Sequence, residues 1–166
     1  DKICQELEQM GIPYTRVCKT GVIGVIEGKK GKPVIGIRAD IDALAVKEST
    51  NLEFQSCSEG VMHACGHDAH IAMLLGAAKI LSEHKDELEC TVKLIFQPAE
   101  EFIKDSGAKH LILVDEMQDV DNIVAVHIWN NLDAGSISVE AGPRLSSADT
   151  FKIEVIGKGG HGAMPN

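Results

Sequence analysis

Apolar positions recur along this chain with two alternating periods. Ile3, Leu7 and Met10 fall three and four residues apart, the spacing of one helix face, and Gly11 and Pro13 mark where that helix stops. Residues 22–27 and 34–39 are apolar, β-branched runs, and the Gly28-Lys29-Lys30-Gly31-Lys32-Pro33 connection between them predicts a hairpin. Residues 69–81 carry Ile71, Leu74, Leu75, Ala78 and Leu81, a second helical stripe. A strand over 91–97 is closed by Pro98, a helix is expected over 107–114, and residues 123–128 read as a short buried strand. Residues 136–140 and 151–156 alternate as further strands. Helices interleaved with apolar strands predict an α/β fold, a layered domain on a mixed sheet, with the mixture attributed to the hairpin. Gly142-Pro143-Arg144 to Ser147 is the expected linker. It separates a main domain over 1–145 from the last segment, 146–166.

Composition narrows the class. At 166 residues and 44% hydrophobic, the chain can bury one core of ordinary size. No run approaches the roughly 18 apolar residues of a membrane span. The net charge of -9 argues against nucleic acid and acidic membranes as partners. Five cysteines, irregularly spaced and without a C-x-x-C pair, suit a reducing, cytoplasmic compartment. Asp1 enters a helical pattern directly, and the 151–156 run meets no following strand, so both ends are expected to be cut.

The chemistry concentrates in His63-Ala64-Cys65-Gly66-His67-Asp68-Ala69-His70. Cys65 and His67, two apart across a glycine, can turn toward one ion, and thiolate with imidazole suits a borderline divalent metal. Arg38, Asp40 and Asp42 sit where the second expected strand ends, Glu100 and Glu101 follow the strand ending at Gln97, and His127 lies near the end of the 123–128 strand. Ligands of open α/β sheets bind beyond the carboxyl ends of strands, so these groups are expected to converge on a metal centre. Some readings stay open. Asp42 either braces a turn or serves the site; Glu100 and Glu101 are either a helix-start pair or supply one metal ligand; His127 is either a ligand or a core histidine. His63 is undecided, His70, His84 and His110 are expected on helix faces away from any site, and Trp129 reads as packing or a pocket wall.

Five ordered segments carry a resemblance. They are Val34-Ile35-Gly36-Ile37-Arg38-Ala39-Asp40-Ile41-Asp42-Ala43-Leu44, Met62-His63-Ala64-Cys65-Gly66-His67-Asp68, Phe96-Gln97-Pro98-Ala99-Glu100-Glu101, Val126-His127-Ile128-Trp129, and the stretch from Gly157 through Gly159-Gly160-His161-Gly162 to Pro165. Together they closely resemble the M20 metallopeptidase family in its amidohydrolase branch, which includes N-acyl-amino-acid, hippurate and auxin-conjugate hydrolases and N-acetyldiaminopimelate deacetylases.

The resemblance implies a catalytic domain over 1–145 holding two divalent ions (manganese, zinc, cobalt or nickel), and over 146–166 the beginning of a lid and dimerisation domain. Cys65 matches the bridging ligand, and His67, Glu101 and His127 match further ligands. Glu100 matches the general base of a metal-activated water, and Asp40 a residue that orients a ligand histidine. His161 matches a substrate-binding histidine that reaches the partner subunit's site in a homodimer. The implied reaction is hydrolysis of the amide bond of N-acyl amino acids. The alternatives are a dipeptidase or aminopeptidase of the same family, and a metal-binding module without catalysis. Two departures stand out. Phe102-Ile103-Lys104-Asp105 replaces a usual glycine-rich turn, and a further ligand histidine expected far downstream is not in the sequence, so the piece alone is expected to be poorly active.

Overall fold

The computed structural model describes residues 1–147 and 149–164 and divides into two units, Asp1–Trp129 and Asn130–Asn166. The first is built on a five-stranded mixed sheet. Its elements in chain order are α1 (Lys2–Gln9), β1 (Tyr14–Val17), β2 (Gly21–Ile26), β3 (Val34–Asp40), α2 (His67–Glu83), β4 (Thr91–Gln97), α3 (Gly107–Leu111) and β5 (Asn122–Ala125). The spatial order is β1-β2-β4-β3-β5.

β4 holds the centre because every one of its residues is buried. Val92, Leu94 and Phe96 pack with Leu7, Val22, Ile26, Leu74 and Ala78 under α1 and α2. Ile95 points to the opposite face, with Val17, Ile23 and Leu111. A strand buried on both faces needs cover on both, which the helices supply, although Thr91, Lys93 and Gln97 share the face of Ile95.

That placement corrects the expected hairpin. β2 and β3 do not pair; β4 lies between them, antiparallel to β2 and parallel to β3. The 27–33 connection is longer than the tight loops that close hairpins, and it spans the width of the inserted strand. Lys29 N–H donates to the Leu88 carbonyl on the way. The hairpin partner of β2 is instead β1, with Val17 opposite Gly21. Its turn places Cys18 and Lys19 at positive φ, a conformation usually left to glycine or asparagine, so the local sequence carries no turn signal there. The helix expected over 107–114 is only Gly107–Leu111, followed by a 3₁₀ turn at Asp115–Met117.

The mixed topology sets the site. β3, β4 and β5 run parallel, so their carboxyl ends open on one sheet edge. α2 begins there. Its buried positions His67, His70, Leu74 and Ala78 form one stripe, apolar toward the core and imidazole at the first turn.

In the second unit, the strands expected over 136–140 and 151–156 are not formed among the described residues. An extended segment becomes a strand only when a neighbour takes up its backbone groups, and here the apolar side chains Ile137, Val139, Phe151, Ile153 and Val155 stand exposed. His161 and Met164 form an isolated bridge, and Pro165 of the fifth motif lies outside the described residues.

Candidate metal centre

Each strand end delivers its group for a local reason. β3 ends on Asp40, and the chain turns at Ile41, whose N–H donates to the Gln97 carbonyl at the end of β4. After Pro98, Ala99 adopts a positive φ, and the Gly107 N–H closes the loop on the Ala99 carbonyl. A Cβ at Gly107 would fall 1.8 Å from the Pro98 carbonyl oxygen, so only glycine lets α3 approach there. This loop presents Glu100 and Glu101. Asp42 braces this turn: its carboxylate accepts the Glu101 N–H at 3.0 Å, and its carbonyl lies 2.9 Å from His67 Nδ1.

Three histidines then have defined tautomers. His67 Nδ1 faces a carbonyl, which can only accept, so Nδ1 carries a proton and in the neutral ring Nε2 is a bare lone pair. His127 Nδ1 lies 2.6 Å from the Ile128 carbonyl, leaving its Nε2 bare as well, 3.5 Å from Cys65 Sγ. His70 differs. Its Nε2 accepts the Ile128 N–H at 3.0 Å, so its Nδ1 carries the proton and donates to Asp40 Oδ1 at 2.6 Å.

The bare nitrogen of His67 is the telling atom. It is buried and has no hydrogen-bond partner. Around it lie Asp40 Oδ2 at 3.6 Å, Glu101 Oε1 at 3.9 Å and Glu100 Oε2 at 4.0 Å. A lone pair facing three carboxylates is unfavourable unless a proton or a metal cation sits among them. The donor atoms of Cys65, His67 and His127 lie within 4.8 Å of one another, as do those of His67, Glu100 and Glu101. One thiol, two imidazoles and two carboxylates form a set that suits a borderline divalent ion. A third close trio, Asp40, His67 and His70, does not fit: both nitrogens of His70 are already engaged.

The electrostatics agree. Burial pushes the Cys65 thiol up, and the nearby Glu101, Glu100 and Asp40 carboxylates push it further, so without a cation it favours the protonated form. Burial also pushes Asp40 up, but the His70 hydrogen bond and the Arg38 guanidinium 2.9 Å away prevail and hold its carboxyl below the usual range. Arg38 is in turn anchored by its Nε bond to Gln97 Oε1 at 3.0 Å.

The site therefore gathers Asp40, Asp42, Cys65, His67, Glu100, Glu101 and His127. His127 lies just past β5, exposed, with Trp129 edge-on at 6.0 Å between ring centroids. His70, expected on a helix face without partners, is instead buried in the cluster; the spacing 67-70-74-78 is the signal that could have found it. His84 and His110 pair with surface carboxylates, as helix-face residues do. His63 Nδ1 is buried without a partner. Phe102 and Ile103 are exposed on a 3₁₀ turn beside the Glu pair. His161 belongs to the second unit, exposed, its Nδ1 accepting the Ala163 N–H.

Comparison with known proteins bears on this geometry. The profile of the peptidase family M20/M25/M40 matches residues 36–165. The chain is 47% identical over 161 residues to an IAA-amino acid hydrolase ILR1-like 4 of Arabidopsis thaliana, covering 96% of this chain and 36% of that protein. It is 42% identical over 165 residues to an N-acyl-L-amino acid amidohydrolase of Geobacillus stearothermophilus, covering 99% of this chain and 44% of that one. Its fold superposes on the crystal structure of the Bacillus subtilis YXEP protein, described as a dinuclear metal-binding peptidase, with a TM-score of 0.80 at 45% identity. That match covers 86% of this chain and 40% of the other.

Proposed function

The chain belongs to peptidase family M20/M25/M40, and from that premise we propose that its protein hydrolyses the amide bond of N-acyl amino acids, releasing a carboxylic acid and a free amino acid. The observation that carries the proposal is the buried, unpartnered His67 Nε2 facing the Asp40, Glu100 and Glu101 carboxylates. In this reading Cys65, His67, Glu101 and His127 hold two divalent cations, manganese, zinc, cobalt or nickel. Those ions would polarise the amide carbonyl and make water nucleophilic near neutral pH.

The chain's own groups do the rest. Glu100 takes the proton of the attacking water and returns it to the departing amine. Glu101 cannot share that work, because a carboxylate committed to a cation is a poorer base; adjacent carboxylates in different environments divide labour in this way. The Asp42 carbonyl holds the His67 ring in the tautomer that leaves Nε2 free. His161 would hold the substrate carboxylate or the oxyanion, in the partner subunit of a homodimer formed through the domain that begins at 146. The five cysteines, all unpaired, suit a reducing compartment such as the cytoplasm. No helix among the described residues is long and apolar enough to cross a membrane.

The test is made at the length of the relatives, since the chain spans 36–44% of the two named above. N-acyl amino acids and free dipeptides are offered with each metal in turn. Hydrolysis of the acylated substrate is expected to dominate. Glu100→Gln is expected to keep its metal and lose about 10²–10⁴-fold in kcat. Glu101→Gln is expected to lose metal first and activity as a consequence. A Glu100→Gln variant that turns over like the parent would overturn the general-base role, and preference for free dipeptides would move the protein to a peptidase reading.

A further inference from the structure

His70 has no part in the chemistry proposed above, yet it is among the most enclosed polar side chains of the fold, 2% exposed. Four contacts define it. Its Nδ1–H donates to Asp40 Oδ1 at 2.6 Å, and its Nε2 accepts the Ile128 N–H at 3.0 Å. Its ring stacks on His67, with centroids 5.4 Å apart and planes 29° from parallel, and meets the edge of His127 at 4.5 Å. It therefore sits between the two imidazoles that face the proposed cations, bonded to the carboxylate on one side and to the backbone beside His127 on the other.

We infer that His70 is a positioning residue of the metal centre, a clamp that ties the segment carrying His127 to the Cys65–His67 turn through the Asp40–His70–Ile128 hydrogen-bond chain. The inference rests on the reading of Cys65, His67 and His127 as metal-holding groups. The physical case is one of supply. His127 follows an edge strand of four exposed residues, so β5 alone gives its ring little restraint. The bond from Ile128 N–H to His70 holds the residue whose carbonyl then accepts the His127 Nδ1–H, at 2.6 Å. Both backbone polar groups of Ile128 are thus used, and its partners His70 and His127 are each held in one tautomer by them. Asp40 closes the other end, its two oxygens divided between His70 and Arg38. His70 itself does not ligate, since neither of its nitrogens is free.

Partners of this kind, bonded behind the ligands, typically govern metal affinity by about 10–100-fold. The test is titration with Co²⁺ alone, followed by the visible spectrum of the bound ion and by equilibrium competition, on the protein at the length of its relatives. His70→Leu is expected to lower affinity about 10–100-fold and to alter the Co²⁺ spectrum. His70→Gln, whose amide offers both a donor and an acceptor, is expected to recover part of the loss. Leu74→Ala, one turn along the same buried stripe, is expected to lower stability while leaving the spectrum of the bound ion unchanged. A His70→Leu variant with parental affinity and spectrum overturns the clamp. A parent that binds no Co²⁺ overturns the metal-centre reading itself, and the clamp with it. Should His70→Leu not fold, the parent decides: ring ¹⁵N shifts of His70 are expected to report the Nδ1–H tautomer with and without metal, and an Nε2–H tautomer or a shift typical of a ligated nitrogen refutes the inference.

Discussion

Gly66→Ala is the most informative single change that leaves every polar group of the site in place. Gly66 separates Cys65 from His67 and starts α2 at φ 80°, ψ 22°, the left-handed region. A Cβ there would lie 2.2 Å from Ile128 Cδ1 and 2.9 Å from its Cγ1. Two costs follow. Holding a non-glycine residue in this conformation costs about 1–2 kcal/mol, and forcing a methyl against a packed side chain costs about 1–3 kcal/mol. Ile128 is 43% exposed, so its flexible end can swing partly aside and the steric cost falls at the low end of that range. The expected loss of stability is therefore about 2–3 kcal/mol. Because Ile128 donates its N–H to His70 and accepts from His127, moving it also loosens the His127–Cys65 approach of 3.5 Å, and metal affinity is expected to fall. Urea denaturation of Gly66→Ala, Ile128→Ala and the double variant separates the terms. In the Ile128→Ala background the steric cost is gone, so Gly66→Ala is expected to cost about 1 kcal/mol less than in the parent. An unchanged urea midpoint for Gly66→Ala, or an equal penalty in both backgrounds, would refute the reasoning.

Two further outcomes are open to simple measurement. Cys65→Ser is expected to lose bound metal on dialysis by more than the about 10–100-fold typical of outer partners, whereas Cys57→Ser, at an exposed thiol, is expected to retain it; equal retention in both removes Cys65 from the ligand set. Tyr14, the single tyrosine, donates to Glu8 Oε1 at 2.6 Å, and that bond, with burial and the Glu8 charge, pushes its phenol up to about 12. A raised folded-state value means the stabilisation is whole below the ordinary value of about 10 and is lost as pH rises toward about 12. Phenolate absorbance is expected to appear only near the top of that window, and Glu8→Gln to return it toward about 10; a titration already complete near 10 in the parent contradicts the bond.

The convergence of groups at the candidate site was more legible in the sequence than the order of the sheet, and the reason is physical. Carboxylates and imidazoles placed directly after apolar runs are visible locally, so Asp40, Glu100, Glu101 and His127 could be located from where each strand stops. Strand order is a long-range property. The turn-rich 28–33 segment suggested that β2 and β3 pair, whereas β4 lies between them, buried at every residue although Thr91, Lys93 and Gln97 are polar. β1 escaped because its turn uses Cys18 and Lys19 where glycine or asparagine would have announced it.

The histidines divide along the same line. His70 was legible in principle, because the 67-70-74-78 spacing puts it on the buried face of α2, and a polar residue on such a face must find partners. What selects the tautomers of His67 and His127 was not legible at all. The acceptors are the backbone carbonyls of Asp42 and Ile128. Every residue type carries a carbonyl, so no substitution at position 128 is recorded as a change in that bond, and no motif encodes it. The free lone pairs that make Cys65, His67 and His127 a donor set are thus products of chain direction at the sheet edge, where parallel strands bring two backbone carbonyls and two imidazoles to the same place. The ligand types can be read from sequence, but their readiness to ligate is a consequence of topology.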